Sequence, residues 1–409
     1  MKTYWLYLFP DVFIWTKNEK GRVYNAQNGH SLHFRYIDPV KAIVDELDLL
    51  ERLYRVTITE EDLAEKDVKL WIDGVVEIEG GRIYPKEPDV RGPISFKREL
   101  RIRDNVDFYR WQHNNGIGGK IIHNLNNLIF YINGSANGSD DYYKQTIFPL
   151  KNGSTRDADK ILAFISGCKK STYLSEICLV GNVWEYPDFV RLTTRLNDVG
   201  PDVVVYCMEK DLLSYLSRNN KRKTSLLSGM HLKIVVSDYD VAVGLFDKVF
   251  RLKKLDVDYI LTIKNEADYD QAFDLTVKYG LQKVEFVPLY TGANIDFFKK
   301  HIYVTRDEIL NSNLSRREIF ARQTVNIYAF GKLFVLPDGN VYANCNDPKI
   351  GDISDLPYDI VYREMTERNS WLLVRDQEPC NQCVYQWLCP SPSNYEKVIN
   401  QTNLCCVRM

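Results

Sequence analysis

The middle of the chain alternates strand and helix patterns with a regularity that few folds accommodate. Between residues 98 and 322, short apolar runs typical of buried parallel strands recur at residues 125–132, 176–180, 203–208, 232–237, 259–263 and 284–289. Helical patterns separate them. Right-handed crossovers between such units predict an α/β protein with a partial (β/α)6 barrel, whose functional face is formed by the loops that follow the strands. A doubly wound open sheet is the alternative.

A dense cysteine array closes the sequence. Cys380 and Cys383 are separated by two residues, Cys389 follows after five more, and the adjacent Cys405 and Cys406 come fifteen residues later. Several thiols in one short, loop-rich segment without a nearby histidine indicate an all-sulfur metal centre. An iron–sulfur cluster, structural zinc and a set of reduced or disulfide-paired cysteines all remain open at this point.

Composition limits the class of protein. With 409 residues, of which 45% are hydrophobic, the chain can build two or three domains with sizeable cores. A net charge of -2 argues against a nucleic-acid surface. We expect no membrane span, because no stretch approaches eighteen apolar residues. The first residues lack a signal-peptide pattern and the nine cysteines are an odd number, which together predict a cytoplasmic protein.

Three regions separate along the chain, at residues 1–97, 98–322 and 323–409. The first opens with short strand patterns at residues 4–9, 12–16 and 22–25 and continues with helical patterns, which predicts a winged-helix-like module. The third opens with a strand, a turn and a strand over residues 333–343, and it carries the cysteine array.

The last seventy residues resemble a known family. The hairpin followed by Cys345, the Gly351-Asp352-Ile353 stretch, Trp371 and the cysteine array are similar to a SPASM domain. This is the cluster-bearing C-terminal extension of radical S-adenosylmethionine (SAM) peptide maturases. The resemblance implies a radical SAM barrel in the middle region and a precursor-peptide recognition domain at the N-terminus. Such domains receive the peptide as an added strand at a sheet edge.

The resemblance carries one peptide-binding expectation. We expect Arg22, Val23, Tyr24 and Asn25 to form the strand that pairs with the peptide. Apolar residues of the helix predicted after residue 39 would line the adjoining groove. A module that only braces the barrel is the alternative.

The barrel departs from the family where the family's chemistry lies. Radical SAM enzymes hold their catalytic cluster with a CxxxCxxC motif after the first barrel strand, whereas residues 133–143 contain no cysteine. The Gly-Gly-Glu stretch of the family corresponds to Gly181-Asn182-Val183, which lacks the carboxylate. We therefore expect no bound SAM. The combination resembles the pseudo radical SAM proteins found beside peptide-modification systems of the GG-Bacteroidales type.

The cysteines that remain match the ligand set of the outer SPASM cluster. The resemblance thus implies one 4Fe-4S cluster, or zinc as the alternative, held by Cys380, Cys383, Cys389 and one of Cys405 and Cys406. Cys345 has no partners for an inner cluster and is interpreted as a half-buried structural thiol.

The predicted function is that of a non-catalytic accessory protein in the maturation of ribosomally synthesised peptides. It would bind the precursor peptide, a catalytically intact radical SAM maturase, or both. An enzyme with rebuilt chemistry in the barrel and a redox or iron-sensing iron–sulfur protein are the alternatives. Cys207 and Glu209, at the end of the third barrel strand, are expected to face the barrel mouth.

Overall fold

The computed structural model describes residues 2–88, 90–95, 105–197, 200–218, 230–249, 255–368 and 370–407. The predicted boundary between residues 97 and 98 lies outside these ranges. The N-terminal module contains six strands and three helices: β1 Thr3–Leu8, β2 Val12–Lys17, β3 Lys20–Asn25, β4 Ser31–Arg35, α1 Val40–Asp48, β5 Arg55–Thr59, α2 Glu60–Ala64, α3 Lys66–Glu77 and β6 Gly81–Pro85.

The strands of the N-terminal module form two antiparallel sheets of three strands, in the orders β5-β1-β6 and β2-β3-β4. The helices pack on them around a hydrophobic core of the module's own, which includes Leu6, Val23, Leu47 and Trp71. Thr59 begins α2 with a capping box, because its side chain accepts the Asp62 N–H and the Asp62 carboxylate accepts the Thr59 N–H.

The middle region contains six parallel strands that alternate with helices. Their bounds are α4 Asn105–Asn114, β7 Asn127–Tyr131, α5 Ala158–Cys168, β8 Glu176–Val180, α6 Phe189–Asn197, β9 Asp202–Met208, α7 Glu209–Arg218, β10 His231–Val236, α8 Tyr239–Val249, β11 Asp256–Ile263, α9 Glu266–Tyr279 and β12 Val284–Pro288. Each strand pairs in parallel with the next one in sequence. The sequence analysis predicted all six strands, with ends that differ by at most three residues.

The crossover helices cover one face of the parallel sheet. Helix residues such as Phe164, Leu196 and Phe246 share a core with strand residues such as Leu179. The opposite face has a separate core, in which Tyr131, Val180 and Met208 meet the segment that follows β7. A doubly wound sheet reverses its strand order and carries helices on both faces. The sequential order therefore excludes that alternative.

The third region continues the parallel sheet. From residue 295 onwards the elements are α10 Ile295–His301, α11 Arg306–Leu310, α12 Arg316–Thr324, β13 Lys332–Val335, β14 Asn340–Tyr342, β15 Gly351–Asp352, α13 Pro357–Arg363 and α14 Asn394–Ile399. The predicted hairpin is β13 and β14, and β13 pairs in parallel with β7. The predicted boundary after residue 322 falls inside α12, so the sheet and a helix both run across it. The buried Trp371 fastens this junction, since its indole N–H donates to the Lys332 carbonyl at 2.9 Å.

The two ends of the chain meet in one more hydrophobic cluster. Tyr24 of β3 packs there with Ile309, Ile319, Tyr385 and Leu388. Phe13 and Trp15 of β2 lie against the same cluster, as do Cys383 and Cys389. The β2-β3-β4 sheet is therefore packed on the cysteine-rich segment.

Candidate metal centre

Four cysteines converge on one small cavity of about 50 Å³ that Cys380, Cys383, Cys389 and Cys405 line together. A single 3-10 turn over Cys380–Gln382 turns the first pair toward each other, and the Cys383 N–H donates to the Cys380 carbonyl at 3.0 Å. Cys405 lies near the C-terminal end of the chain, and a parallel β-bridge between its backbone and Val304 positions it beside the other three cysteines. The fold therefore brings cysteines that are separated in the sequence to one cavity.

The structure separates the two adjacent C-terminal cysteines. Cys405 faces the cavity, and its sulfur accepts the Val407 N–H at 3.3 Å, a contact that stabilises a thiolate. Cys406 is exposed, and its own N–H is bonded to the Val304 carbonyl. The sequence left this choice open, and the geometry favours Cys405.

A buried ion pair supports the cysteine cavity. Arg375 donates from Nη1 to Glu396 Oε1 at 2.8 Å and reaches the Cys380 sulfur at 3.9 Å. Their side chains are only 9% and 4% exposed. The Glu396 carboxylate also accepts the Ser393 N–H at the start of α14. A cation held against the sulfurs offsets the negative charge that several thiolates bring to a metal.

The cysteines of this cavity are protonated until a metal binds and displaces their protons. Burial raises the pKa of Cys389 to about 12, and burial is also the main cause that raises the pKa of Cys383 and Cys405. At neutral pH these groups are therefore neutral thiols in the absence of a metal. A bound cation would replace the protons and convert them to thiolate ligands.

The spacing of the sulfurs bears on the kind of metal. A tetrahedral zinc ion with bonds of about 2.3 Å holds its sulfurs roughly 3.8 Å apart. In the part of the chain that the structure describes, no three cysteine sulfurs lie within 4.8 Å of one another. The four sulfurs are therefore not preformed at the spacing of a tetrahedral zinc site.

A hydrogen-bonded network occupies the loop after β7. Ser135 Oγ donates to Asp211 Oδ2 at 2.5 Å, and Asn137 Nδ2 donates to Asp211 Oδ1 at 2.6 Å. Asn133 Nδ2 donates to the Asn182 carbonyl at 2.8 Å. Burial raises the pKa of Asp211, ahead of these hydrogen bonds, which lower it. The loop is closed by amide and hydroxyl groups, and a cavity of about 540 Å³ lies beside it, lined in part by Trp184 and Arg218.

The edge position expected for residues 22–25 is wrong. Strand β3 is the central strand of its sheet, paired on one side with β2 and on the other with β4. Arg22, Val23, Tyr24 and Asn25 are all buried. Tyr24 donates its hydroxyl to the Leu314 carbonyl at 2.9 Å. Because both edges of β3 are already paired, its backbone cannot accept an added strand.

Glu209 and Cys207 face different surroundings from those expected. Cys207 belongs to the core between the sheet and the helices, not to the barrel mouth. Glu209 is fully buried, and its Oε1 accepts hydrogen bonds from Ser237 Oγ at 3.2 Å and the Asp238 N–H at 3.1 Å. Cys207 lies on the helix side of β9 because it alternates with Tyr206 and Met208, and Glu209 is already the first residue of α7.

Several neighbours of the sites carried no signal in the sequence. Arg375, Glu396 and Lys332 are isolated charges in sequence that the fold brings to cavities. Cys345 lines a larger cavity of about 510 Å³, where burial raises its pKa to about 12. Among charged groups elsewhere in the fold, His231 Nε2 lies 2.9 Å from Asp258 Oδ2. Lysine 283 completes that group by pairing with Asp256, so it is an ion-pair network.

None of the helices within the described ranges is both long and apolar enough to cross a bilayer. Among solved structures, Streptococcus suis SuiB bound to S-adenosylmethionine is similar at 10% identity and a TM-score of 0.46, over 98% of this chain and 100% of that chain. SuiB bound to precursor peptide SuiA is similar at 10% identity and a TM-score of 0.39, over 99% and 98%. BtrN in complex with AdoMet and 2-DOIA follows at 14% identity and a TM-score of 0.31, over 65% and 98%.

The sequence matches no protein-family model, and it has no significant match to a curated protein.

Proposed function

We propose that this protein is a non-catalytic accessory factor of peptide maturation, built as a degenerate radical SAM protein. It would bind a precursor peptide, an intact radical SAM maturase, or both. The observation that carries the proposal is a contrast between two sites. The loop at residues 133–143 has no thiol and is closed by Asp211, whereas four thiols converge at the C-terminal cavity.

The proposed architecture has three parts. A winged-helix-like recognition module covers residues 1–97, a partial (β/α)6 barrel covers residues 98–322, and a SPASM-like domain covers residues 323–409. The sequential parallel strands with helices on one face support the barrel. The separate core of the N-terminal module supports its treatment as a unit.

The proposed cofactor is one 4Fe-4S cluster held by Cys380, Cys383, Cys389 and Cys405. The all-cysteine donor set and its resemblance to the outer SPASM cluster support a cluster, with zinc as the alternative. All four ligands come from the protein, so the centre would be closed and would stabilise the segment rather than bind SAM. Arg375 would keep its place against the Cys380 sulfur.

The strand edge that we propose for pairing with the precursor peptide is that of β4 rather than β3. Among the described strands of this sheet, β2 and β4 are the outer ones, and β2 turns Phe13 and Trp15 toward the cysteine-rich segment. Strand β4 exposes His33 and Arg35, while Phe34 anchors it in the module core. Its free backbone edge can pair with an extended peptide.

Two experiments test the proposal. Anaerobically reconstituted protein is incubated with a strong reductant and SAM, and 5′-deoxyadenosine is measured. We expect none, because no thiolate is available at residues 133–143, and its formation by this chain would refute the non-catalytic assignment. Co-purification with a precursor peptide and a CxxxCxxC maturase encoded beside its gene tests the accessory role. Failure to bind either one at high micromolar concentration would refute that role.

One observation favours the alternative of an enzyme with rebuilt chemistry. The cavity of about 540 Å³ beside the loop after β7 combines the buried carboxylate of Asp211 with an aromatic stack of Trp184 on Tyr215, whose ring centroids are 4.6 Å apart. Such a mixture of one acid and aromatic faces is typical of small-molecule pockets. Screening metabolites for a thermal shift that Asp211→Asn abolishes would support this alternative.

A further inference from the structure

A second cavity, larger than the cysteine cavity, lies on the face of the sheet opposite the helices. Its volume of about 510 Å³ is within the range of ligand pockets. Its walls are residues 285–288 of β12, the segment after β7 around Gln145, and residues 390–396 of the cysteine-rich region. Arg375 lines both this cavity and the cysteine cavity.

Lys332 reaches this cavity because of the alternation of β13. Leu333 and Val335 are buried in the core on the helix side, so Lys332 and Phe334 face the other way. Lys332 is held in place by its carbonyl, which accepts the Trp371 indole N–H. Among the described residues, its ammonium has no hydrogen bond and no ion pair within 4.0 Å.

The surroundings of Lys332 leave its charge incompletely compensated. Burial lowers the pKa of the ammonium, as Lys233 also does, whereas Cys178, Glu176 and Glu285 act in the opposite direction. The Glu176 carboxylate is engaged elsewhere, since Oε1 accepts from Asn127 Nδ2 at 3.1 Å. Glu285 is exposed. Lys233 adds a second positive charge, with its ammonium 5.3 Å from the centre of the Tyr206 ring. A half-buried cation without a direct partner gains from an anionic ligand.

The cavity also presents a backbone edge. Strand β12 is outermost in the large sheet as far as the structure describes it, and its residues 285–288 form a wall of the cavity. An extended peptide could pair with this edge before Pro288, whose carbonyl already accepts the Tyr395 hydroxyl at 2.6 Å, while its side chains enter the cavity. Tyr206 and Tyr395 supply aromatic surface on the same walls.

We propose that Lys332 anchors a carboxylate of a peptide that lies along β12 in this cavity. The carboxylate belongs either to an acidic side chain or to the peptide's C-terminus, and the ammonium recognises the same chemistry in both. This inference rests on the proposed function insofar as the ligand is a peptide. It adds a second binding position, distinct from the β4 edge of the N-terminal module.

The test uses full-length, metal-loaded protein and four small probes. The first pair of probes is acetyl-Ala-Glu-Ala-amide and its neutral twin, in which glutamine replaces glutamate. The second pair is acetyl-Ala-Ala-Ala, which has a free C-terminal carboxylate, and its neutral twin, the C-terminal amide. Saturation-transfer NMR titrations give the affinities. We expect one carboxylate probe to bind about tenfold or more tightly than its neutral twin. The pair that shows the difference identifies the source of the carboxylate.

Variants assign that preference to Lys332. Lys332→Met should abolish the difference between the twins, whereas Lys332→Arg should retain it within about threefold, because the charge is kept. Lys160→Met, at an exposed position on α5, is the matched control and should change nothing. Each variant is accepted only with the metal content and melting temperature of the wild type.

A measurement on the wild type does not depend on any variant. Acetic anhydride labels lysines, and mass spectrometry quantifies each site. The preferred probe at saturation should protect Lys332 and leave Lys160 unchanged. Equal affinity for both twins, a preference that survives in Lys332→Met, or labelling of Lys332 that the probe does not alter would each overturn the inference. Precursor binding in co-purification would then still stand, so the two failures are distinguishable.

Discussion

Arg22 of β3 lies against the ring of Tyr385, with its guanidinium carbon 4.2 Å from the ring centroid. Arg22 is only 2% exposed, and its Nη1 donates to Ser31 Oγ at 2.7 Å. Tyr385 follows Cys383 by two residues. This contact therefore joins the N-terminal module to the segment that holds the cysteines. The residues expected to receive a peptide instead fasten the module to the candidate metal centre.

The first prediction concerns this contact. A desolvated cation–π pair contributes about 2 kcal/mol. In a double-mutant cycle of Arg22→Met and Tyr385→Leu, we expect a coupling energy of about 1–2 kcal/mol in urea denaturation. Tyr385→Phe keeps the ring and is the matched control, with a loss of less than about 1 kcal/mol. A coupling energy near zero would show that the two residues are neighbours without a mutual interaction.

The second prediction distinguishes the adjacent cysteines. Cys405→Ser should lose the metal, because its sulfur lines the cavity, whereas Cys406→Ser should keep the wild-type content. Iron, sulfide and zinc are measured on protein purified without oxygen, and the neighbouring position serves as the control. Equal metal content in both variants, or loss in Cys406→Ser alone, would contradict the assignment of the fourth ligand.

The third prediction is a pH dependence of stability. Burial raises the pKa of Glu209 from 4.5 to about 7. The native state therefore holds this proton to higher pH than the unfolded state does. The stability that Glu209 contributes is fully present below pH 4.5 and is lost as the pH rises to about 7.

Replacement of Glu209 measures this loss. Relative to the wild type, Glu209→Gln should gain on the order of 3 kcal/mol in unfolding free energy between pH 4.5 and pH 8, since glutamine carries no charge at either pH. Exposed Glu51 offers the control, and Glu51→Gln should show no such trend. A difference between wild type and Glu209→Gln that stays constant across this range would refute the raised pKa.

The sequence was sufficient for the parallel sheet because its strands are buried on both faces. Runs such as residues 177–180 are apolar throughout, and such runs have few alternatives to a parallel strand. The N-terminal module was less predictable. Strands β4 and β5 alternate polar and apolar residues, but each has only five residues with two apolar side chains, so the signal is short. Without them, β3 looked like the last strand of a meander and was placed at an edge.

The residues of the candidate site also fall into those that the sequence predicts and those that it does not. The four cysteines could be predicted because a metal site needs a rare residue at short spacing. Arg375, Glu396 and Lys332 could not, since a single charge in sequence gives no indication of whether it is buried. Their roles depend on packing between elements far apart in the chain, such as β13 against β7 and α14 against the loop at residue 375.

The last prediction concerns the effect of the metal centre on the N-terminal module that packs against it. The cluster that contains Tyr24, Trp15, Cys383 and Cys389 joins β2 and β3 to the cysteine-rich segment. A closed four-thiolate centre contributes folding energy to a segment with few apolar residues of its own. In the variant Cys380→Ser with Cys383→Ser, we expect amide hydrogen exchange in β2 to accelerate about tenfold or more. Strand β1 packs in the module's separate core and should stay protected, as should β8. Unchanged exchange in β2 would refute the coupling, and equal acceleration in β1 would mean that the whole module unfolds rather than detaches.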